Sequence, residues 1–191
     1  MSALADFNVG NYLNRHYVSA FQKVATFQIN GQQKNGGNVA SYFCTPDGRV
    51  LHAVAGPVDG HTYLREAQWA NDTYQRAVLD NRTSLAQQQA FFRKAHQDRL
   101  RLEQQLPVPL LLEIEPLKDF DDVQEIKDLV DRKQVDRVFN GNANLALTNQ
   151  GKVHLLLSTS PLPRLEEIYQ VVFEKILNEK VSTDPVGVAG K

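Results

Sequence analysis

The chain carries one thiol, five imidazoles and a few clusters of carboxylate, hydroxyl and basic groups with which to do chemistry. Cys44 is the single cysteine, so an intramolecular disulfide, a CxxC redox pair and a cysteine-rich zinc site are all excluded. It lies among Tyr42, Phe43 and Val50, the setting of a buried structural thiol. A thiol-dependent enzyme using Cys44 alone is the alternative. His16, His52, His61, His96 and His154 form no HxH, HxxxH or HExxH pair. A metal site would therefore have to be assembled by the fold, and edge or surface positions on strands account for His52 and His154. Asp121 and Asp122 read as the acidic first turn of a helix, because neighbours on a helix point about 100° apart and do not form a paired-carboxylate site. The glycine-rich run Gly31 to Gly37 lacks phosphate-loop spacing. Ser158, Thr159 and Ser160 have no nucleophile-elbow context. No catalytic, cofactor-binding or metal-binding residue is assigned from these patterns. Arg93, Lys94, His96, Arg99 and Arg101, with Phe91 and Phe92 beside them, resemble an RNA-binding stripe. Interleaved Gln87, Gln88, Gln89, Asp98 and Glu103, and a net charge of -1, favour a solvated helix face instead.

The elements that must position these groups follow from turn residues and periodicity. Thr45-Pro46-Asp47-Gly48 closes a hairpin between two apolar runs, Val39 to Cys44 and Val50 to Val54. Gly56-Pro57 ends the second strand, and Asp59 or Thr62 caps a helix carrying Tyr63, Leu64, Ala67 and Trp69. Upstream, residues 1–17 read as a helix and residues 18–29 as an imperfect strand. Downstream, helical sequence continues to Leu106 with a break near Asp80-Asn81, where Thr83 or Ser84 caps a new helix. In that second helix Leu85, Phe92, Leu102 and Leu106 must dock on the C-terminal half or pair with a second copy. Residues 108–114 read as a buried strand and residues 123–133 as a helix. A second hairpin turns at Asn149-Gln150-Gly151, so that Thr148 to Val153 echoes Thr45 to Val50. A final helix carries Leu165, Ile168, Val172 and Ile176.

The strand–turn–strand–bend–helix order from Val39 to about residue 75 resembles the second half of the thioredoxin fold, and residues 8–24 resemble its first helix and central strand. The resemblance implies a redox fold, yet Phe7 to Gly10 stand where the family's cysteine motif would be, and Ala40 where its cis-proline would be. The expected fold is α/β: a thioredoxin-like unit over 1–80, a helical connector over 81–106, a second α/β unit over 107–181 and a disordered tail over 182–191. The expected function is a non-catalytic, protein-binding or scaffold module without a cofactor. Its candidate partner surface comprises Gly36, Gly37, Asn38 and Ala40, with Phe91, Phe92, Arg93 and Arg99 on the long helix, which also offers a route to a homodimer. An apolar content of 42% suits a folded core. With no signal-like start and no apolar run of about 20 residues, a cytoplasmic location is expected.

Overall fold

The computed structural model describes residues 3–24, 27–30, 33–36, 38–79, 84–104, 147–181 and 187–188. The expected strand 108–114, the helix 123–133, Gly31 and Gly37 lie outside them. The described residues form a mixed α/β structure that is mostly helical. A short 3-10 turn, Ala3–Ala5, precedes α1 (Phe7–His16). Strands β1 (Phe27–Asn30) and β2 (Gln33–Gly36) pair antiparallel. The hairpin strands are β3 (Ala40–Cys44) and β4 (Val50–Ala55). Helices α2 (Gly60–Leu79), α3 (Leu85–Gln104), α4 (Asn149–Thr159) and α5 (Leu165–Val171) follow, α5 running into a π-helical turn at Val172–Ile176. A two-residue strand, β5 (Gly187–Val188), pairs parallel to β1.

All six residues of β4 are buried. On one side Val50, Ala53 and Ala55 pack against Val153, Leu156 and Leu157 of α4 and Ile168, Val172 and Ile176 beyond it. On the other, Val54 and Phe43 meet Val9 of α1 and Tyr63, Ala67 and Ala70 of α2. Leu51 joins Ala77, Phe92 and Leu162 in a third cluster. The hairpin closes as its residues dictate: Gly48 takes φ +82°, its N–H donates to the Thr45 carbonyl at 2.9 Å, and the Thr45 hydroxyl accepts from Arg49 N–H at 3.0 Å. The second helix starts where expected, with the Ser84 hydroxyl accepting from Gln87 N–H at 3.3 Å, while Asp80 and Asn81 lie outside the described residues.

Three expectations are corrected. Residues 149–159 are a helix and not a hairpin arm: the Thr148 hydroxyl accepts from Gly151 N–H at 3.0 Å and caps its first turn. Because Gly151 and every residue from Val153 to Ser158 are buried, that helix is apolar on all sides and carries no helical period to read. The apparent repeat of Thr45 to Val50 in Thr148 to Val153 is accordingly a turn in one case and a helix start in the other. In the expected strand 18–29, residues 18–24 are irregular, with Val18 and Phe21 almost fully exposed; among the described residues the strand is Phe27–Asn30, in a sheet ordered β2-β1-β5 apart from β3-β4. Gly187–Val188, placed in a disordered tail, is the third strand of that sheet. On α3 the docking alternative holds for Phe92, which is in the core, whereas Leu102 is exposed and Leu106 lies outside the described residues.

Gly56 sits at φ +87°, where an added Cβ would lie 3.3 Å from both Asn149 Nδ2 and Leu177 Cδ2. Gly48 has the same backbone constraint but open space around it. Gly56→Ala should cost about 1–2 kcal/mol from backbone strain plus a packing penalty, and Gly48→Ala the strain alone. Urea unfolding midpoints of the two variants test this, with Gly56→Ala expected to fall further.

Candidate functional site

The chemistry-bearing side chains that the fold gathers are His52 on β4, Glu66 and Trp69 on α2, His96 and Arg99 on α3, and His154 on α4. His52, Glu66, His96 and His154 are each at most 1% exposed. A β-bulge prepares the site. Phe43 opposes His52 and Cys44 opposes Val50, so Leu51 has no residue opposite it in the ladder. Its carbonyl instead lies 3.0 Å from His96 Nε2.

Hydrogen-bond accounting fixes the tautomers. A carbonyl only accepts, so His96 Nε2 carries the proton and its Nδ1 presents a lone pair. His96 Nδ1 is 2.8 Å from His154 Nδ1, which must then donate, leaving the lone pair of His154 on Nε2. His52 Nε2 is 3.1 Å from the Glu66 carboxylate and donates to it, leaving a lone pair on Nδ1. His52 Nδ1 and His154 Nε2 are buried and have no hydrogen-bond partner. Burial holds all three imidazoles neutral, lowering His52 and driving His96 and His154 well below the usual histidine range; for His96 and His154 the neighbouring His52 adds to the effect. The rings pack face to face and edge to face. His52 stacks on His154 with centroids 4.7 Å apart, and Trp69 lies 5.0 Å from His52, 4.9 Å from His96 and 5.2 Å from His154.

Glu66 remains a carboxylate. Burial alone would push it up, but the His52 N–H and the Arg99 and Arg65 guanidiniums outweigh that and hold it well below the usual carboxylate range. Arg99 Nη2 donates to both oxygens, at 3.0 and 2.9 Å, and Arg65 Nη2 donates to Oε1 at 2.9 Å. Arg99 also lies over the Trp69 ring, 5.1 Å from its centroid. Ligand atoms of His52, His96 and His154, one from each, all lie within 4.8 Å of one another, a set that could hold a metal ion.

This constellation corrects the reading of His52 and His154 as edge or surface histidines: β4 is covered on both sides, and α4 is an interior helix. The available signal was a polar ring inside an apolar run, Val50-Leu51-His52-Ala53-Val54 and Val153-His154-Leu155-Leu156; nothing around His96 marks it. The candidate partner residues are dispersed. Phe92 is 1% exposed in the core, Arg99 faces Glu66, and Arg93 Nε donates to the Ser158 carbonyl at 3.3 Å. Phe91 is half-buried and Ala40 partly buried, while Asn38 is exposed. Gly36 ends β2. Lys94 and Arg101 point outward, and both pair with Asp98. His16 and His61 are exposed. Cys44 is partly buried; desolvation, helped by the negative charge of Glu166, pushes its thiol up to about 11.

Comparison of the chain with family models, curated proteins and solved structures finds no match.

Two outcomes are expected. With its thiol at about 11, native Cys44 should react with iodoacetamide at a rate rising about tenfold per pH unit from pH 7 to 10, whereas an ordinary thiol levels off above about pH 9. Stopped alkylation followed by mass spectrometry reads this, and the plateau should return in denaturant. Glu66→Ala, which strands Arg99 and the His52 N–H, should lower stability by about 3 kcal/mol or more in urea unfolding.

Proposed function

We propose that this chain is a non-catalytic protein-binding or scaffold module whose hairpin-and-helix half follows a thioredoxin-like plan. The observation that carries the reading is the apolar surface of its first forty residues. Leu4, Phe7, Val18, Phe21 and Val39 are all exposed, with Phe7 at 79% and Phe21 at 91%. A contiguous exposed apolar patch marks an interaction site, and we read these five side chains as one such patch. Asn38 and Ala40 of the expected partner surface adjoin Val39. The order β3, turn, β4, Gly56-Pro57 bend, α2 supports the thioredoxin-like plan. The state of the single thiol supports the non-catalytic part, since disulfide exchange needs a thiolate and Cys44 is held protonated. No described helix is long and apolar enough to cross a membrane.

The test has two arms. Insulin reduction by dithiothreitol should proceed at the same rate with and without the protein, and acceleration would reject the non-catalytic reading. Photo-crosslinkers placed at residues 7 and 21 should yield discrete adducts in cells of the source organism, where a crosslinker at the exposed Lys94 position yields none. Equal labelling at all three positions would reject the surface.

A further inference from the structure

We propose that His52, His96 and His154 bind one divalent first-row transition-metal ion of the zinc class, with Glu66 as the outer-shell residue that orients His52. The site stands independently of the partner surface. Three observations converge on it. Each imidazole is neutral and offers one lone pair. Two of these, on His52 Nδ1 and His154 Nε2, are buried without a partner, which is costly for a polar atom in a packed core. One ring nitrogen from each of the three residues already lies within 4.8 Å of the other two. Tetrahedral coordination at about 2.0–2.1 Å places nitrogens roughly 3.3–3.4 Å apart, so the ligand atoms need to close by up to about 1.5 Å. The remaining ring nitrogens of His52 and His96 are already held as metal-bound imidazoles usually are: His52 Nε2–H by a carboxylate and His96 Nε2–H by a backbone carbonyl.

The donor set selects the ion. Neutral imidazoles suit zinc, cobalt, nickel and copper, whereas magnesium and calcium need oxygen ligands. Among the described residues the one buried carboxylate in contact with the triad, Glu66, is occupied by His52, Arg65 and Arg99, so it acts from behind His52 and does not join the ion. Binding releases no proton from the three rings. The His154-to-His96 hydrogen bond opens, and the His96 Nδ1 lone pair turns from that proton to the ion. Because the ligands come from β4, α3 and α4, the ion fastens the hairpin to two helices, and the fourth position is left to water or a small anion.

The test uses the full chain without an appended histidine tag, stripped by chelator and titrated with Co2+. One equivalent should bind with the intense visible absorption of a tetrahedral site, be displaced by Zn2+ and be unaffected by excess Mg2+. His52→Gln and His154→Gln should each weaken binding by more than about 100-fold, and Glu66→Gln by about 10- to 100-fold at unchanged stoichiometry. His16→Gln and His61→Gln should leave it unchanged. Should a triad variant fail to fold, magnetic resonance of the native chain labelled with 15N-histidine and loaded with Cu2+ decides, and three coupled imidazoles are expected. Absence of stoichiometric Co2+ uptake, uptake that survives His52→Gln, or fewer than three coupled imidazoles would overturn the proposal. A buried water bridging the rings would then be the better account.

Discussion

The structure depends on how one strand is kept from water. β4 is buried along its whole length, but in the described sheet it has one partner, β3, and its other edge has no third strand. Buried N–H and carbonyl groups left unpaired are expensive, so that edge must be satisfied by something other than sheet. It is satisfied group by group. Val50 N–H donates to the Pro163 carbonyl at 2.8 Å. The Leu51 carbonyl accepts from His96, the Ala53 carbonyl from Gln150 Nε2 at 3.4 Å, and Ala55 N–H donates to Gln150 Oε1 at 3.0 Å. The segment before α5, the first turn of α4 and the middle of α3 thus each take the place of part of a missing strand.

This constraint explains why the polar cluster lies where it does. Closing the edge at Leu51 needs a donor on α3, and His96 supplies it. Once His96 is committed through Nε2, its Nδ1 must face an N–H donor or an electron-pair acceptor, and His154 stands there at 2.8 Å. His52 on the strand itself brings Glu66, and Glu66 brings Arg65 and Arg99 to neutralise it. Removing one member leaves its neighbours unpaired, so the members act together. The same packing withdraws Arg99 and Phe92 from the surface.

What could be read from the sequence divides along the same line. The Thr45-Pro46-Asp47-Gly48 turn and the start of α3 are legible because local chemistry decides them: positive φ at Gly48 and a hydroxyl cap at Ser84. Helix α4 is not, because its setting buries Leu155, Leu156 and Leu157 together and erases the period that separates helix from strand. The Asn149-Gln150-Gly151 triplet, a turn by composition, became a helix start because Gln150 is needed at the β4 edge. The triad was invisible for a different reason. His96 and His154 are 58 residues apart, and contact at such a separation is a property of topology and not of spacing.

The bond between Ala55 and Gln150 spans 95 residues. During synthesis the hairpin emerges from the ribosome long before the residues that cover its open edge. At about 5–20 residues per second, that edge stays available to other chains for roughly 5–20 s, longer than a hairpin takes to form. Until α4 arrives, the nascent protein presents an apolar strand of the kind that recruits chaperones or seeds aggregation.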